Sequence, residues 1–388
     1  MIARILIPLL LMIVLPDLWL LRKKKRKKAS KAKMLFFLLP SLAMIIFTIV
    51  MACSKDFANS GDPTLEIYLI LLGLIVAPKL VYCICSIIGT LFCRLFKKKN
   101  NYGNLVGVLL VPVLWFVTLW GFTRGFSKFE VQHYTFASPD LPAAFDGYKI
   151  VQWSDAHVGT YTGRRKDILQ QAIDSINAQN ADAIMFTGDL MNIRPDELYQ
   201  HIDALSSLKA PDGVFSVLGN HDYSVYIEAS DAEKVANERE MVTRQKSFGW
   251  NLLMNEHRTI VRDNDSIVIA GEENDGRGKR RPAKGDIART LEGVDTNAFI
   301  VMLQHDPTAW RRDILPNSNA QLTLSGHTHG GQAKIFGWSP TSLTYKEWGG
   351  WYYEGKRALH VSTGLGGLIP FRFGQPGEIC VITLKRSI

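Results

Sequence analysis

Five short segments in the second half of this 388-residue chain carry the side chains that could do chemistry. They are Asp155-Ala156-His157, Gly188-Asp189, Gly219-Asn220-His221-Asp222, Gln304-His305 and Gly326-His327-Thr328-His329. Carboxylate, amide and imidazole groups in this mixture are donors for divalent transition metals, and their fixed order describes a site for two ions. The segments differ in weight. With 22 Asp and 9 His in the chain, an Asp-x-His arises by chance about 0.5 times, whereas a Gly-His-x-His arises about 0.02 times. The second carries the reading. Five of the nine histidines fall in these segments; His133, His201, His257 and His360 have no such neighbours and read as surface or hydrogen-bonded imidazoles.

The elements that must position these groups are legible beside them. Each segment follows a short apolar run: Tyr148 to Trp153, Ala183 to Thr187, Val214 to Leu218, Phe299 to Leu303 and Leu322 to Leu324. Runs of this length bounded by turn residues predict buried strands, so the polar groups sit where strands end, the edge at which open α/β sheets collect ligands. Helical spacing of Ile168, Ala172, Ile173 and Ile176 predicts a helix within 164–179, and 231–248 reads as a long polar helix. Further strands are expected at 266–270, 321–324, 359–361 and 379–384. An α/β order passing into a β order predicts two packed sheets flanked by helices.

These segments resemble the calcineurin-like metallophosphoesterases, whose pattern runs Asp-x-His, Gly-Asp-x-x-Asp/Asn, Gly-Asn-His-Asp/Glu, His, Gly-His-x-His. All five blocks stand in order, including Gly188-Asp189-Leu190-Met191-Asn192, and GHTHGGQ at 326–332 with PFRFGQPGE at 370–378 is most similar to the membrane-associated bacterial branch. The resemblance covers about 146–388 and implies a four-layer α/β/β/α sandwich. It implies one ion held by Asp155, His157, Asp189 and His329 and another by Asp189, Asn220, His305 and His327, with Asp189 bridging. Mixed nitrogen and oxygen ligation suits Mn, Fe, Zn or Co. Two divalent ions against two carboxylates leave about +2, which attracts a phosphate anion, and a water of lowered pKa between the ions supplies the nucleophile. The matching histidine, His221, is expected at the leaving group as acid or donor, with Asp222 orienting its ring. Gly188, Gly219 and Gly326 are expected to permit tight turns and close backbone approach, and Asn192 to fix a loop by hydrogen bonding.

The first 129 residues are of another kind. They hold 18 Lys and Arg against 4 Asp and Glu, a net of +14, leaving 27 basic and 32 acidic residues, a net of −5, in 130–388. The basic character of the chain belongs to this region and gives no support to nucleic-acid binding by the rest. Apolar stretches at 2–21, 34–53, 65–88 and 105–123 are long enough to span a bilayer. The first lacks a basic leader and a small-residue cleavage site, so it reads as a retained span. Nine Lys and Arg in 22–33 and four in 94–99, against Lys55 alone in 54–66, place both basic loops in the cytoplasm. The catalytic half is then expected on the periplasmic side of a bacterial inner membrane. Pro78-Lys79 interrupts the third stretch, which is expected to be one kinked helix with Lys79 facing the bundle or snorkelling. The expected domains are a transmembrane anchor at 1–129, a linker at 130–145 and a catalytic domain at 146–388.

Cys53, Cys83, Cys85 and Cys93 lie in or beside the spans and only Cys380 in the soluble half, so neither a disulfide framework nor a thiolate metal site follows. The basic loop containing Arg277, Arg280 and Arg281 offers a grip for a second phosphate or anionic head group, or is a solvated loop. Aromatics in 336–353 either rest at membrane lipids or pack within the fold. The expected activity is hydrolysis of a phosphodiester or pyrophosphate bond in a lipid-linked or envelope substrate. Members of the branch include pyrophosphatases that cleave UDP-2,3-diacylglucosamine in lipid A synthesis; that substrate is cytoplasmic, which the outward topology disfavours. A non-catalytic membrane sensor or scaffold is the reading from another class, against which the His221-Asp222 pair argues.

Overall fold

The computed structural model describes residues 5–26, 30–54, 61–277 and 282–387. Arg280 and Arg281, and Lys27, Lys28 and Lys55 of the anchor, lie outside them. The chain divides into two compact units, with the boundary near Thr123 and Arg124.

The first unit is helical: Leu6–Arg26, Lys31–Cys53, a continuous helix over Thr64–Leu95, and Gly103–Trp120 running into a π-turn at Gly121–Gly125. Among the described residues, Lys31–Cys53, Thr64–Leu95 and Gly103–Gly125 are long and apolar enough to cross a membrane. Leu6–Arg26 carries Asp17 and a basic end. The interruption at Pro78-Lys79 does not split the third helix. Proline cannot donate to the carbonyl four residues back, and a π-turn over Leu72–Val76 absorbs the defect. The Leu74 carbonyl, which Pro78 leaves without its helical donor, accepts the indole N–H of Trp115 at 2.9 Å, as a backbone group in hydrocarbon requires. Lys79 faces inward. Its ammonium donates to Asp17 at 3.0 Å, Ser41 Oγ at 2.7 Å and the Phe37 carbonyl at 3.4 Å.

The second unit holds two six-stranded sheets. In the first the strand order is β1 (Phe129–Ser138), β12 (Gly377–Arg386), β2 (Lys149–Trp153), β3 (Ala183–Phe186), β4 (Val214–Ser216) and β5 (Asn251–Leu252); only the β12–β2 pair is antiparallel. In the second it is β10 (Gly350–Glu354), β11 (Arg357–Val361), β9 (Leu322–Ser325), β8 (Phe299–Leu303), β7 (Asp265–Gly271) and β6 (Glu256–Arg262), antiparallel at both ends. Alternation on β2 shows how the layers form. Ile150 joins a core shared with Ile269, Val301 and Leu324 of the other sheet, while Val151 and Trp153 face Leu169 and Ile173 of the helix Lys166–Asn177 and Met241 of the helix Asp231–Ser247. On the far face of the second sheet, Ala270, Ile300 and Met302 pack on Trp310 and Ile314. This is the expected α/β/β/α sandwich.

The stretch expected to be a linker is not one. Residues 129–138 form β1, paired in parallel along its whole length with β12, because Val131, Tyr134 and Phe136 have apolar surfaces to bury against the sheet. The soluble unit therefore begins before residue 130.

Candidate metal centre

The five segments meet at one edge of the two sheets. Asp155 and His157 follow β2, Asp189 follows β3, Asn220 to Asp222 follow β4, His305 follows β8, and His327 and His329 follow β9. The backbone is forced there. Asp155, His157, Asp189, His327 and His329 have φ of 52°, 49°, 60°, 76° and 53°, a left-handed region that costs a side-chain-bearing residue on the order of 1 kcal/mol or more. All three glycines serve close approach: a Cβ on Gly188 would collide with Gly219 and His305, one on Gly219 with Asp189, and one on Gly326 with Ser154 and Asp155. Gly188 also supplies a positive φ of 95°.

Donor atoms of Asp155, His157, Asp189 and His329 lie within 4.8 Å of one another, as do those of Asp189, His305 and His327. Asp189 belongs to both groups. His305 Nε2 is 3.2 Å and His157 Nε2 3.7 Å from Asp189 Oδ2, and His329 Nε2 is 3.4 Å from Asp155 Oδ1. Two ligands each about 2.1 Å from one ion stand about 3 to 3.5 Å apart, so these spacings fit a shared cation. Asn220 Oδ1 lies 3.2 Å from His305 Nε2, while its amide donates to Tyr226 at 2.8 Å and so turns the oxygen inward. His157, buried, has no hydrogen-bond partner at either ring nitrogen among the described residues, nor has His329 at Nδ1. A buried polar atom without a partner is expensive, and a cation accounts for several at once.

Charge in the cluster is strongly perturbed. Burial holds the His157 imidazole well below its ordinary range. Burial also opposes the charge on Asp189, yet His305 and His221 outweigh it and hold that carboxyl well down. Against its own burial, His305 is lifted to about 10 by Asp189 and must release that proton before Nε2 can act as a ligand.

His221 sits half-buried beside Asp189, whose Oδ1 accepts its backbone N–H at 2.8 Å. The group that orients its ring is not Asp222. Ring Nδ1 lies 2.5 Å from the Asn192 carbonyl, while the Asp222 carboxylate accepts the backbone N–H groups of Gly219, Asp189, Leu190 and Met191 at 2.9 to 3.1 Å. Asp222 points away from the ring because four converging amides of the Asp189 turn offer a stronger site for its charge. It is a positioning residue for Asp189. Asn192 does fix a loop: its amide donates to Thr160 at 3.1 Å, and its backbone N–H goes to Glu197 at 2.5 Å.

Three further residues were beyond the reach of spacing alone. Tyr226 stacks on His221 with ring centroids 4.4 Å apart, and the Tyr345 hydroxyl lies 2.9 Å from His327 Nε2. Arg372 is fully buried and donates to the carbonyls of Thr363, Gly364 and Gly366 at 2.7 to 3.0 Å; the next links are Leu365 N–H to Ser154 and Gly366 N–H to Asp155, both 2.9 Å. It braces the segment lying on Asp155. The signal available was an arginine in a glycine-rich stretch. Arg277 is exposed, and Lys284 of the same loop is paired with Glu238. The aromatic segment splits: Trp351 packs on His360 and Phe136, while Phe336 and Trp338 are exposed.

A family model described as calcineurin-like phosphoesterase matches residues 148–331, and one described as a probable calcineurin-like phosphoesterase transmembrane domain matches 3–126. The uncharacterized metallophosphoesterase YkuE of Bacillus subtilis is 33% identical over 269 residues, 66% of this chain and 86% of that protein. The chain belongs to the calcineurin-like metallophosphoesterase family, and is a metal-dependent phosphoester hydrolase joined to a membrane unit. Among its relatives, the transmembrane protein with metallophosphoesterase domain of Danio rerio is 29% identical over 255 residues, 64% of this chain and 55% of that one. The UDP-2,3-diacylglucosamine pyrophosphatase LpxG of Chlamydia trachomatis is 26% identical over 341 residues, 74% of this chain and 98% of that one.

Proposed function

We propose that the chain hydrolyses a phosphodiester or pyrophosphate bond of a lipid-linked or cell-envelope substrate at a dinuclear centre of Mn, Fe, Zn or Co. The convergence of Asp155, His157, His305, His327 and His329 on Asp189, with the His157 imidazole otherwise unpartnered among the described residues, carries the reading. Asp155, His157, Asp189 and His329 hold one ion, and Asp189, Asn220, His305 and His327 the other. When bound, the pair supplies Lewis-acid polarisation of the phosphoryl group and lowers the pKa of a water. The protein's own part is proton handling and placement. With Nδ1 tied to the Asn192 carbonyl, His221 presents Nε2 to the leaving oxygen, to which it delivers or shares a proton.

An apolar substrate is supported by Ile335, Phe336, Trp338 and Leu343, all exposed on the segment that follows His329. Ser339 Oγ, in the same segment, donates to the Gly330 carbonyl at 2.6 Å, so this ridge is tied to the metal-site turn. Acyl chains are its natural occupants. Cleavage of UDP-2,3-diacylglucosamine, the substrate in the name of the Chlamydia relative, is the alternative to this reading and requires the catalytic unit on the cytoplasmic side; Arg277 with Arg280 and Arg281 would then meet the second phosphate. The paired basic loops, with one unbroken helix over 64–95, favour a catalytic unit outside the cytoplasm of a bacterial inner membrane, which labelling of an engineered surface cysteine on spheroplasts tests.

The deciding measurement is hydrolysis of bis(p-nitrophenyl) phosphate and a screen of lipid-linked and nucleotide-sugar phosphates by the full-length protein in detergent with added Mn. Activity abolished in Asp189→Asn supports the reading. Two bound ions without turnover on any of these would instead favour a sensor or scaffold.

A further inference from the structure

A second cluster of ligating side chains lies between the two sheets, away from the strand-end loops. His360 stands on β11 of the second sheet, and Glu378 and Cys380 on β12 of the first. One ligand atom from each lies within 4.8 Å of the other two.

The histidine is prepared as a ligand. It is fully buried, and its Nδ1 lies 2.7 Å from Gln152 Oε1. Which end of the Gln152 amide is oxygen is set by its other end, whose NH2 donates to the Ser325 carbonyl at 2.9 Å. Nδ1 must therefore carry the proton and Nε2 the lone pair, the arrangement that fixes metal-binding imidazoles elsewhere. Nε2 has no hydrogen-bond partner among the described residues. Burial keeps the ring neutral, depressing its pKa to about 4.

Its two companions complete a charge balance. Glu378 Oε2 accepts the Thr363 N–H and hydroxyl, both at 2.8 Å, Oε1 has a long contact of 3.5 Å with Tyr134, and the carboxylate also meets the Cys380 thiol, whose proton a cation would replace. Cys380 is fully buried, and burial with the neighbouring Glu378 charge drives its thiol well above the ordinary range. A divalent cation reverses that preference, since a coordinated thiol is deprotonated outright. One thiolate, one carboxylate and one neutral imidazole cancel the charge of the ion, which suits a buried position. Sulfur with imidazole selects zinc over the oxygen-preferring ions, and three protein ligands leave a fourth place for water. A cleft of about 410 Å³ lined by Glu130, Gln132, Tyr134, Lys334 and Glu378 gives water a route to the carboxylate.

We propose that His360, Glu378 and Cys380 form a third divalent-cation site, selective for zinc, that clasps β11 to β12. Its effect reaches the catalytic edge. Glu378 holds Thr363, and the next residue, Gly364, lies so close to Asp155 that a Cβ there would meet the carboxylate side chain at 2.7 Å.

The test does not depend on turnover, because the catalytic ligands are nitrogen and oxygen only. Full-length protein in detergent is stripped with a chelator, reloaded with Co²⁺ and examined for the thiolate-to-cobalt charge-transfer absorption. A band is expected in the wild type, retained in Asp189→Asn and lost in Cys380→Ser, with bound zinc falling by one equivalent in Cys380→Ser. His360→Gln should weaken or remove the band while leaving the fold intact by circular dichroism. No band in the wild type, or one unchanged in Cys380→Ser and so owed to the anchor cysteines, overturns the proposal and leaves Cys380 a hydrogen-bonded thiol.

Discussion

Both units of this protein bury charge, and they settle it in opposite ways. In the membrane unit, Lys79 has three N–H donors and three acceptors, on Asp17, Ser41 and Phe37, which joins three helices and leaves no donor of the ammonium over. In the second unit, Asp155 and Asp189 are buried among imidazoles, and neither ring nitrogen of His157 has a partner among the described residues. A closed set of partners makes a joint. An open set of convergent donors makes a ligand site, because a folded protein rarely leaves such atoms bare without a use for them.

The sharpest way to break this contrast is at Asp189, which belongs to both donor groups. Asp189→Asn should lose bound metal and lower turnover on a soluble diester by about a thousandfold or more, several kcal/mol of barrier. Metal content by mass spectrometry alongside kcat checks it, and unchanged metal would remove Asp189 from the bridge. His221→Gln should separate binding from proton transfer: the same metal content with kcat down by about a hundredfold to ten-thousandfold. Loss of metal there would make His221 a ligand.

The membrane joint should respond as a structural element. Lys79→Met alone leaves the Asp17 carboxylate buried without its partner, a change worth about 3 to 5 kcal/mol. The double variant Asp17→Leu, Lys79→Met should recover most of it. Unfolding in detergent measures both, and the soluble diester should still be hydrolysed wherever the protein remains folded. A double variant as unstable as the single would show that the pair does more than close a gap.

The clustering of Asp and His donors was readable in the sequence because metals constrain residue type and order, and strand cores announce themselves by runs such as Phe299–Leu303. Orientation was not readable. Nothing in Asn-His-Asp says that Asp222 turns toward four amides and away from the imidazole beside it, since that depends on where the Asp189 turn brings its N–H groups. Nor could spacing find Tyr226 or Tyr345, whose roles arise from loops folding back, or β1, whose pairing partner β12 is some 240 residues away in sequence. His360 looked ordinary for the same reason. Its companions Glu378 and Cys380 stand on the other sheet.

One buried group fits neither side of the contrast and gives the smallest effect. His201 Nε2 has no partner among the described residues, but no other donor converges on it, and burial followed by the charge of Lys166 depresses its pKa to about 4. The folded state thus prefers the neutral ring, whereas the unfolded chain takes up a proton near the ordinary 6.5. This contribution to stability is complete above about 6.5 and is lost as pH falls from there through about 4. Between about pH 7.5 and pH 5 the wild type should lose about 2 kcal/mol more stability than His201→Gln, read as the difference in their thermal unfolding shifts. Equal shifts in the two proteins would mean that Nε2 finds a proton acceptor on acidification, and that one unpartnered ring nitrogen alone does not distinguish a ligand site from a cost of packing.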